Sequence, residues 1–185
     1  LERELGSIAP GRRADMILTS DLRTLPIELV IARGQAVAID GQIKVACPHY
    51  DWPENVRSTV HMGKTLDAAD FEITAPNGAN KVQAKVIGVI ENQAPTEALK
   101  AELPVKDGLV EGQGDVYQIA LVERHRATGD VTNGFVSGFG YQGQMAMAST
   151  VAHDSHHMIV VGTDRAMMAA AANRLGEVGG GVTDW

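Results

Sequence analysis

Lys81-Val82-Gln83-Ala84-Lys85-Val86-Ile87-Gly88-Val89-Ile90-Glu91 is the stretch on which the fold class turns. Val82, Ala84 and Val86 share one face of an extended chain, and Gln83 and Lys85 share the other. That period of two belongs to a strand and excludes an amphipathic helix. Downstream, residues 96–105 satisfy two patterns. Leu99 and Leu103 have helical spacing, but Leu99, Ala101, Leu103 and Val105 also alternate. Asp107-Gly108 then offers a turn into Leu109-Val110, which favours a hairpin. Val116 to Val122 reads as a central strand, and Met158 to Val161 as another. Between them Gly129, Gly134, Gly138, Gly140 and Gly143 space out Phe135, Phe139 and Tyr141 in what reads as a loop able to lie close to a ligand. One helix is predicted from about Asp164 to Leu175, with Thr163 as its cap and Gly176 as its terminator. It carries Met167, Met168, Ala171, Ala172 and Leu175 on one face. Gly179-Gly180-Gly181 marks the end of readable structure.

Upstream the pattern changes. Ala14 to Leu18, Ile27 to Ala32, Gln35 to Ile39 and Gln42 to Val45 read as short strands. Arg33-Gly34 and Asp40-Gly41 provide the tight turns. So few short strands bury little surface alone, and they read as completing a sheet whose other strands lie outside the chain. The breaker-rich run from Cys47 to Asn55 places a boundary, giving units 1–49 and 50–185. The fold class is therefore α+β, a mainly β patch followed by a mixed α+β domain. The first residues, Leu1-Glu2-Arg3-Glu4, read as the tail of a helix begun earlier, so the chain is expected to be a fragment.

The 185 residues are 44% hydrophobic and 21% charged, enough apolar material for a core. The formal net charge is −7, and no run of five or more Lys or Arg appears, which argues against a general nucleic-acid coat. Cys47 is the single cysteine, so neither an intrachain disulfide nor a cysteine zinc cluster is available. No apolar run reaches the ~18 residues of a membrane span. A cytoplasmic protein with no nucleic-acid or membrane partner is expected.

The densest group of titratable side chains is His153-Asp154-Ser155-His156-His157, which holds three of the six histidines. On a strand His153, Ser155 and His157 would share one face, with Asp154 and His156 on the other. Imidazole and carboxylate suit zinc, iron or manganese, yet the spacing fits no standard metal signature, and hydrogen-bonded structural roles stay open. His125, with Glu123, Arg124 and Arg126, stands where charge appears at a strand end. It reads either as a solvated loop entry or as a ligand contact. The glycine-rich stretch lacks a P-loop lysine, and Ser149 and Ser155 lack a nucleophile elbow.

Two stretches carry a family resemblance. Gly6-Ser7-Ile8-Ala9-Pro10-Gly11-Arg12-Arg13-Ala14-Asp15-Met16-Ile17-Leu18 resembles the segment by which amidohydrolase-superfamily enzymes leave their barrel for a small β-sandwich. Glu123-Arg124-His125, Gly134-Phe135-Val136-Ser137-Gly138-Phe139-Gly140, and the run from Ser149 to Thr163 resemble the C-terminal domain of the bacterial adenine deaminase family. His157 departs from the family pattern, in which an asparagine-like residue is expected. The run Gly181-Val182-Thr183-Asp184-Trp185 breaks off where the family continues into further strands.

The resemblance implies that residues 1–49 complete an amidohydrolase β-sandwich and that residues 50–185 form the C-terminal domain. It implies a parent enzyme that hydrolyses adenine to hypoxanthine and ammonia with metal-activated water. The metal would be manganese or iron, or else zinc, held by barrel residues absent here, since no His-x-His pair occurs in this chain. The chain would be inactive alone. It would have the parent's catalytic barrel as partner, within a homo-oligomer, and would help to close or shape the site. His153, Asp154, His156 and His125 are the substrate-proximal candidates, and no catalytic or metal-binding residue is assigned within the chain. Two alternatives stand beside this reading: a non-catalytic structural or oligomerisation module, and an independent metal-binding domain built on His153, His156 and His157.

Overall fold

The structure, a computed structural model, describes residues 3–185. The chain divides into two compact units, Leu1–Asp51 and Trp52–Trp185. The helix tail expected at residues 1–4 falls partly outside the described residues, while Arg3 and Glu4 lie in a turn.

The first unit is a four-stranded antiparallel sheet of β1 (Met16–Thr19), β2 (Ile27–Ala32), β3 (Gln35–Ile39) and β4 (Gln42–Ile43), in sequential order. Arg33 and Gly34, and likewise Asp40 and Gly41, all have positive φ, between 47° and 78°. That geometry matches the right-handed twist of the flanking strands and explains why glycine occupies the second turn position. Register aligns Ile17, Val30, Ala38 and Ile43 on one face, with Leu18, Leu29 and Ile39 on the other. Both faces are thus apolar, yet no described residue of this unit is buried. The sheet has no core of its own.

The second unit is built on an eight-stranded sheet. Its strands are β5 (Lys81–Val89), β6 (Thr96–Lys106), β7 (Leu109–Val110), β8 (Val116–Val122), β9 (Val131–Ser137), β10 (Ala146–Ser149), β11 (Met158–Gly162) and β12 (Val182–Asp184). They lie in the order β12-β10-β11-β8-β9-β5-β6-β7. All pairings are antiparallel except β5 with β9. A short helix α1 (Glu54–Arg57), a 3-10 turn at Ala68–Phe71 and the helix α2 (Arg165–Val178) complete the unit. The α+β class holds.

Three local expectations are corrected. First, residues 131–137 of the predicted glycine-rich loop form β9, because Gly134 pairs with Ile119 inside the ladder and Phe135 and Val136 are buried. Gly129 before the strand and the residues just beyond Ser137 remain a loop. Second, α2 is capped by Asp164, whose carboxylate accepts the Met167 N–H at 2.9 Å. The Thr163 hydroxyl instead accepts the Met145 N–H at 2.9 Å. The helix runs through Gly176, where a Cβ would come within 2.7 Å of Met62, and ends at Gly179 with φ 81°. Third, structure continues past Gly181, since β12 pairs with β10. Residues 96–106 form β6 against β5, so alternation wins over the helical spacing of Leu99 and Leu103.

Met168, Ala171, Ala172 and Leu175 of α2 pack on Ala120 and Val122 of β8, Ala148 of β10, and Met158 and Val160 of β11. The alanines let the helix lie close to the sheet. Phe71, fully buried, enters this core from the 3-10 turn. Gln118, buried in the sheet, donates from Nε2 to the Phe71 carbonyl, and Asn133 donates to the Asp70 carbonyl at 2.9 Å. Among the described residues no helix is long and apolar enough to cross a membrane.

Candidate functional site

Strands β8 and β11 run antiparallel, with Leu121 opposite Ile159 and Val122 opposite Met158. One step further along the register Glu123 meets His157. Glu123 Oε1 lies 4.0 Å from His157 Nδ1, a nitrogen that is buried and has no hydrogen-bond partner. The His157 ring packs against His125 in a tilted contact, with centroids 4.9 Å apart and planes inclined at 51°. The end of β8 and the start of β11 therefore bring two imidazoles and a carboxylate together.

The Glu123 carboxylate organises the loop that follows it. Oε1 accepts the N–H groups of His125 at 2.6 Å and Arg126 at 2.9 Å, and Oε2 accepts the Thr128 N–H at 3.1 Å. Partial burial pushes the carboxyl pKa upward, but the backbone donors of Thr128, Arg126 and His125 and the Thr128 hydroxyl outweigh it, leaving a value of about 2. Glu123 is ionised at any physiological pH, so it acts as a fixed negative charge and a backbone anchor. A proton shuttle would need a value closer to neutral. Arg124 is held from the other side: its Nη1 donates to the Thr59 carbonyl at 2.9 Å, and its own carbonyl accepts the His61 N–H at 2.8 Å.

The predicted cluster 153–157 is a turn, so the strand alternation expected there is corrected. The His156 N–H closes on the Ala152 carbonyl at 2.7 Å, His156 takes a φ of 55°, and the His157 N–H reaches the Ser155 hydroxyl at 3.3 Å. His153, Asp154 and His156 are exposed, as is His125, whereas His157 is half-buried. Of the four predicted site residues, only His125 joins a side-chain cluster. His157, absent from the substrate-proximal set, and Glu123 are its companions. The signal for His157 lay in the pairing of β8 with β11, which a single sequence does not display. Among the described residues no group of three or more His, Cys, Asp or Glu side chains is placed to hold a metal ion. That counts against the independent metal-binding domain on His153, His156 and His157.

Elsewhere a cleft of about 470 Å³ opens at the start of α2, lined by Tyr117, Gln118, Thr163 and Arg165. There the Arg165 guanidinium is paired with Glu111 at 2.9 Å, so its charge is already matched within the chain.

Residues 93–184 match the model of the adenine deaminase C-terminal domain. Those residues belong to the adenine deaminase C-terminal domain family. It is 79% identical over 183 residues to the adenine deaminase of Ruegeria sp. (strain TM1040), covering 99% of this chain and 30% of that protein. Identity is 68% to the adenine deaminase of Paracoccus denitrificans, over 99% of this chain and 30% of that protein. It is 42% to that of Moorella thermoacetica, over 97% of this chain and 30% of that protein. The chain thus spans about 30% of the length of the curated relatives it matches. The whole cluster from Glu123 to His157 falls inside the matched adenine deaminase domain. The four-stranded first unit lies outside it, yet within the stretch aligned to the relatives.

Proposed function

We propose that this chain is the carboxyl-terminal part of an adenine deaminase, a longer enzyme that converts adenine and water to hypoxanthine and ammonia. In this reading the second unit closes or shapes the adenine site. The observation that carries the reading is 79% identity, across essentially the whole chain, to a protein named adenine deaminase. The exposed set His125, His153, Asp154 and His156, beside the half-buried His157, supplies polar groups suited to the ring nitrogens and exocyclic amine of a purine. Imidazole and carboxylate pair with such donors and acceptors directly.

The described residues do not fit a metal site, so the manganese, iron or zinc of such an enzyme is assigned to residues outside this chain, within its catalytic barrel. What this chain contributes is orientation and the exclusion of water. The first unit is assigned to an amidohydrolase-type β-sandwich completed by strands outside the chain. Its two apolar, unburied faces support that assignment. The parent enzyme is read as a cytoplasmic homo-oligomer.

The test is adenine turnover by the purified chain with added manganese, iron or zinc, first alone and then mixed with the separately expressed remainder of the enzyme. Activity only in the mixture is expected. Turnover by the chain alone would overturn the assignment of the chemistry to residues elsewhere.

A further inference from the structure

The sheet of the second unit has two faces with different fates. One is covered by α2. On the other, Tyr117, Val136 and Val161 are buried with Phe139 and Tyr141, and beside them Ile119 and Leu121 of β8, Ile159 of β11 and Ile87 of β5 surround an open apolar groove of about 320 Å³. Gly134 of β9 forms part of its floor. A Cβ there would have only Ile119 Cγ2 nearby, at 3.7 Å, so the missing side chain leaves room in the groove and relieves no clash. Ile87 and Val89, on this same face of β5, are 44% and 42% exposed. Contiguous exposed aliphatic surface of this kind marks an interaction site.

We propose that this open face is the docking surface for the polypeptide of the longer adenine deaminases that this chain does not contain. The proposal rests on the reading of the chain as part of such an enzyme. Three observations select that occupant. The groove is lined almost wholly by carbon, so a bound purine would bury its ring nitrogens and amine without partners, at a cost of ~1–3 kcal/mol for each such group. Apolar protein side chains carry no such penalty. More than two thirds of each relative lies outside the matched stretch but in the same polypeptide, and a tethered partner meets the groove at a far higher effective concentration than a second molecule does. Finally, Lys85 and Lys100 stand opposite each other on this face beside the groove. A self-pairing of two copies would bring four like charges to one patch. The Glu123–His157–His125 cluster lies at the strand ends on the same face, so docking here would also bring those side chains against the rest of the enzyme.

The full-length deaminase with a benzophenone photo-crosslinking amino acid in place of Ile87 tests this, with peptide mapping by mass spectrometry. The expected result is crosslinks to peptides from outside this 185-residue stretch. Crosslinks to the four-stranded unit of the same chain, to the same face of a second copy, or none at all, would overturn the proposal. Replacing Val89 instead provides a second position should the first variant fail to fold. Adenine turnover by the same preparation is a separate readout: an active enzyme that crosslinks elsewhere defeats the docking surface alone, whereas an inactive one that crosslinks as expected defeats the catalytic reading alone.

Discussion

Glu123 and His157 face each other across the β8–β11 ladder at 4.0 Å, while both oxygens of the Glu123 carboxylate are occupied by the loop that presents His125. One acidic side chain thereby sets the relation of two imidazoles that are far apart in sequence. Glu123→Gln keeps one acceptor oxygen and removes the charge and the other. The expected outcome is faster amide hydrogen exchange at His125, Arg126 and Thr128 with an unchanged exchange pattern in α2. Equal exchange in the variant would show that the loop holds itself without the carboxylate.

The same group gives a pH dependence. Its carboxyl titrates at about 2 in the folded chain against a usual 4.5, so the folded state binds the proton less well than the unfolded one. The stability it contributes is complete above pH 4.5 and disappears as the pH falls from there toward 2. Protection factors at His125 and Thr128, the observed exchange corrected for the intrinsic rate at each pH, are expected to fall over that range in the wild-type chain. In Glu123→Gln the part of that fall due to this carboxyl should be missing.

Asp164 caps α2 and Thr163 does not, and this is directly testable. Asp164→Ala is expected to cost about 1 kcal/mol in urea unfolding, the usual value of a lost N-cap. Thr163→Ala should leave the helix intact and loosen the Met145 amide, which loses its hydroxyl acceptor. Equal effects of the two substitutions on helix stability would contradict the capping geometry.

Gly162 ends β11 beneath α2, where an added Cβ would lie 2.6 Å from Met168 Cγ and 2.9 Å from the Ala146 Cβ. Gly162→Ala overpacks a core with no slack, with an expected loss of ~1–3 kcal/mol. The deletion in the same place, Met168→Ala, opens a cavity at a fully buried side chain and should cost ~2–5 kcal/mol. Thermal or denaturant unfolding of the two variants checks both values.

The legible parts of this fold were those written in local pattern. Alternation over Lys81–Val89, the Asp40-Gly41 and Asp107-Gly108 turns with their positive φ, and the apolar face of α2 all reflect neighbours a few residues apart. The strand β9 was hidden because glycine at position 134 reads as loop, although pairing across β8 overrides that preference. Strands β10 and β12 are short and take their form from partners distant in sequence. The candidate site divides in the same way. His125 was found from the charge at a strand end, whereas its contact with His157 depends on the β8–β11 register. The turn at 153–156 defeats any argument from strand alternation.

Steady-state adenine turnover by the full-length deaminase carrying Asp154→Ala, together with its unfolding midpoint, decides whether the turn at 153–157 serves the substrate site. Asp154 is exposed in a turn, so its removal should leave folding intact. A fall in kcat/KM for adenine at unchanged stability is expected. Unchanged kcat and KM would contradict a contribution of this turn to the substrate site and would favour a purely structural module.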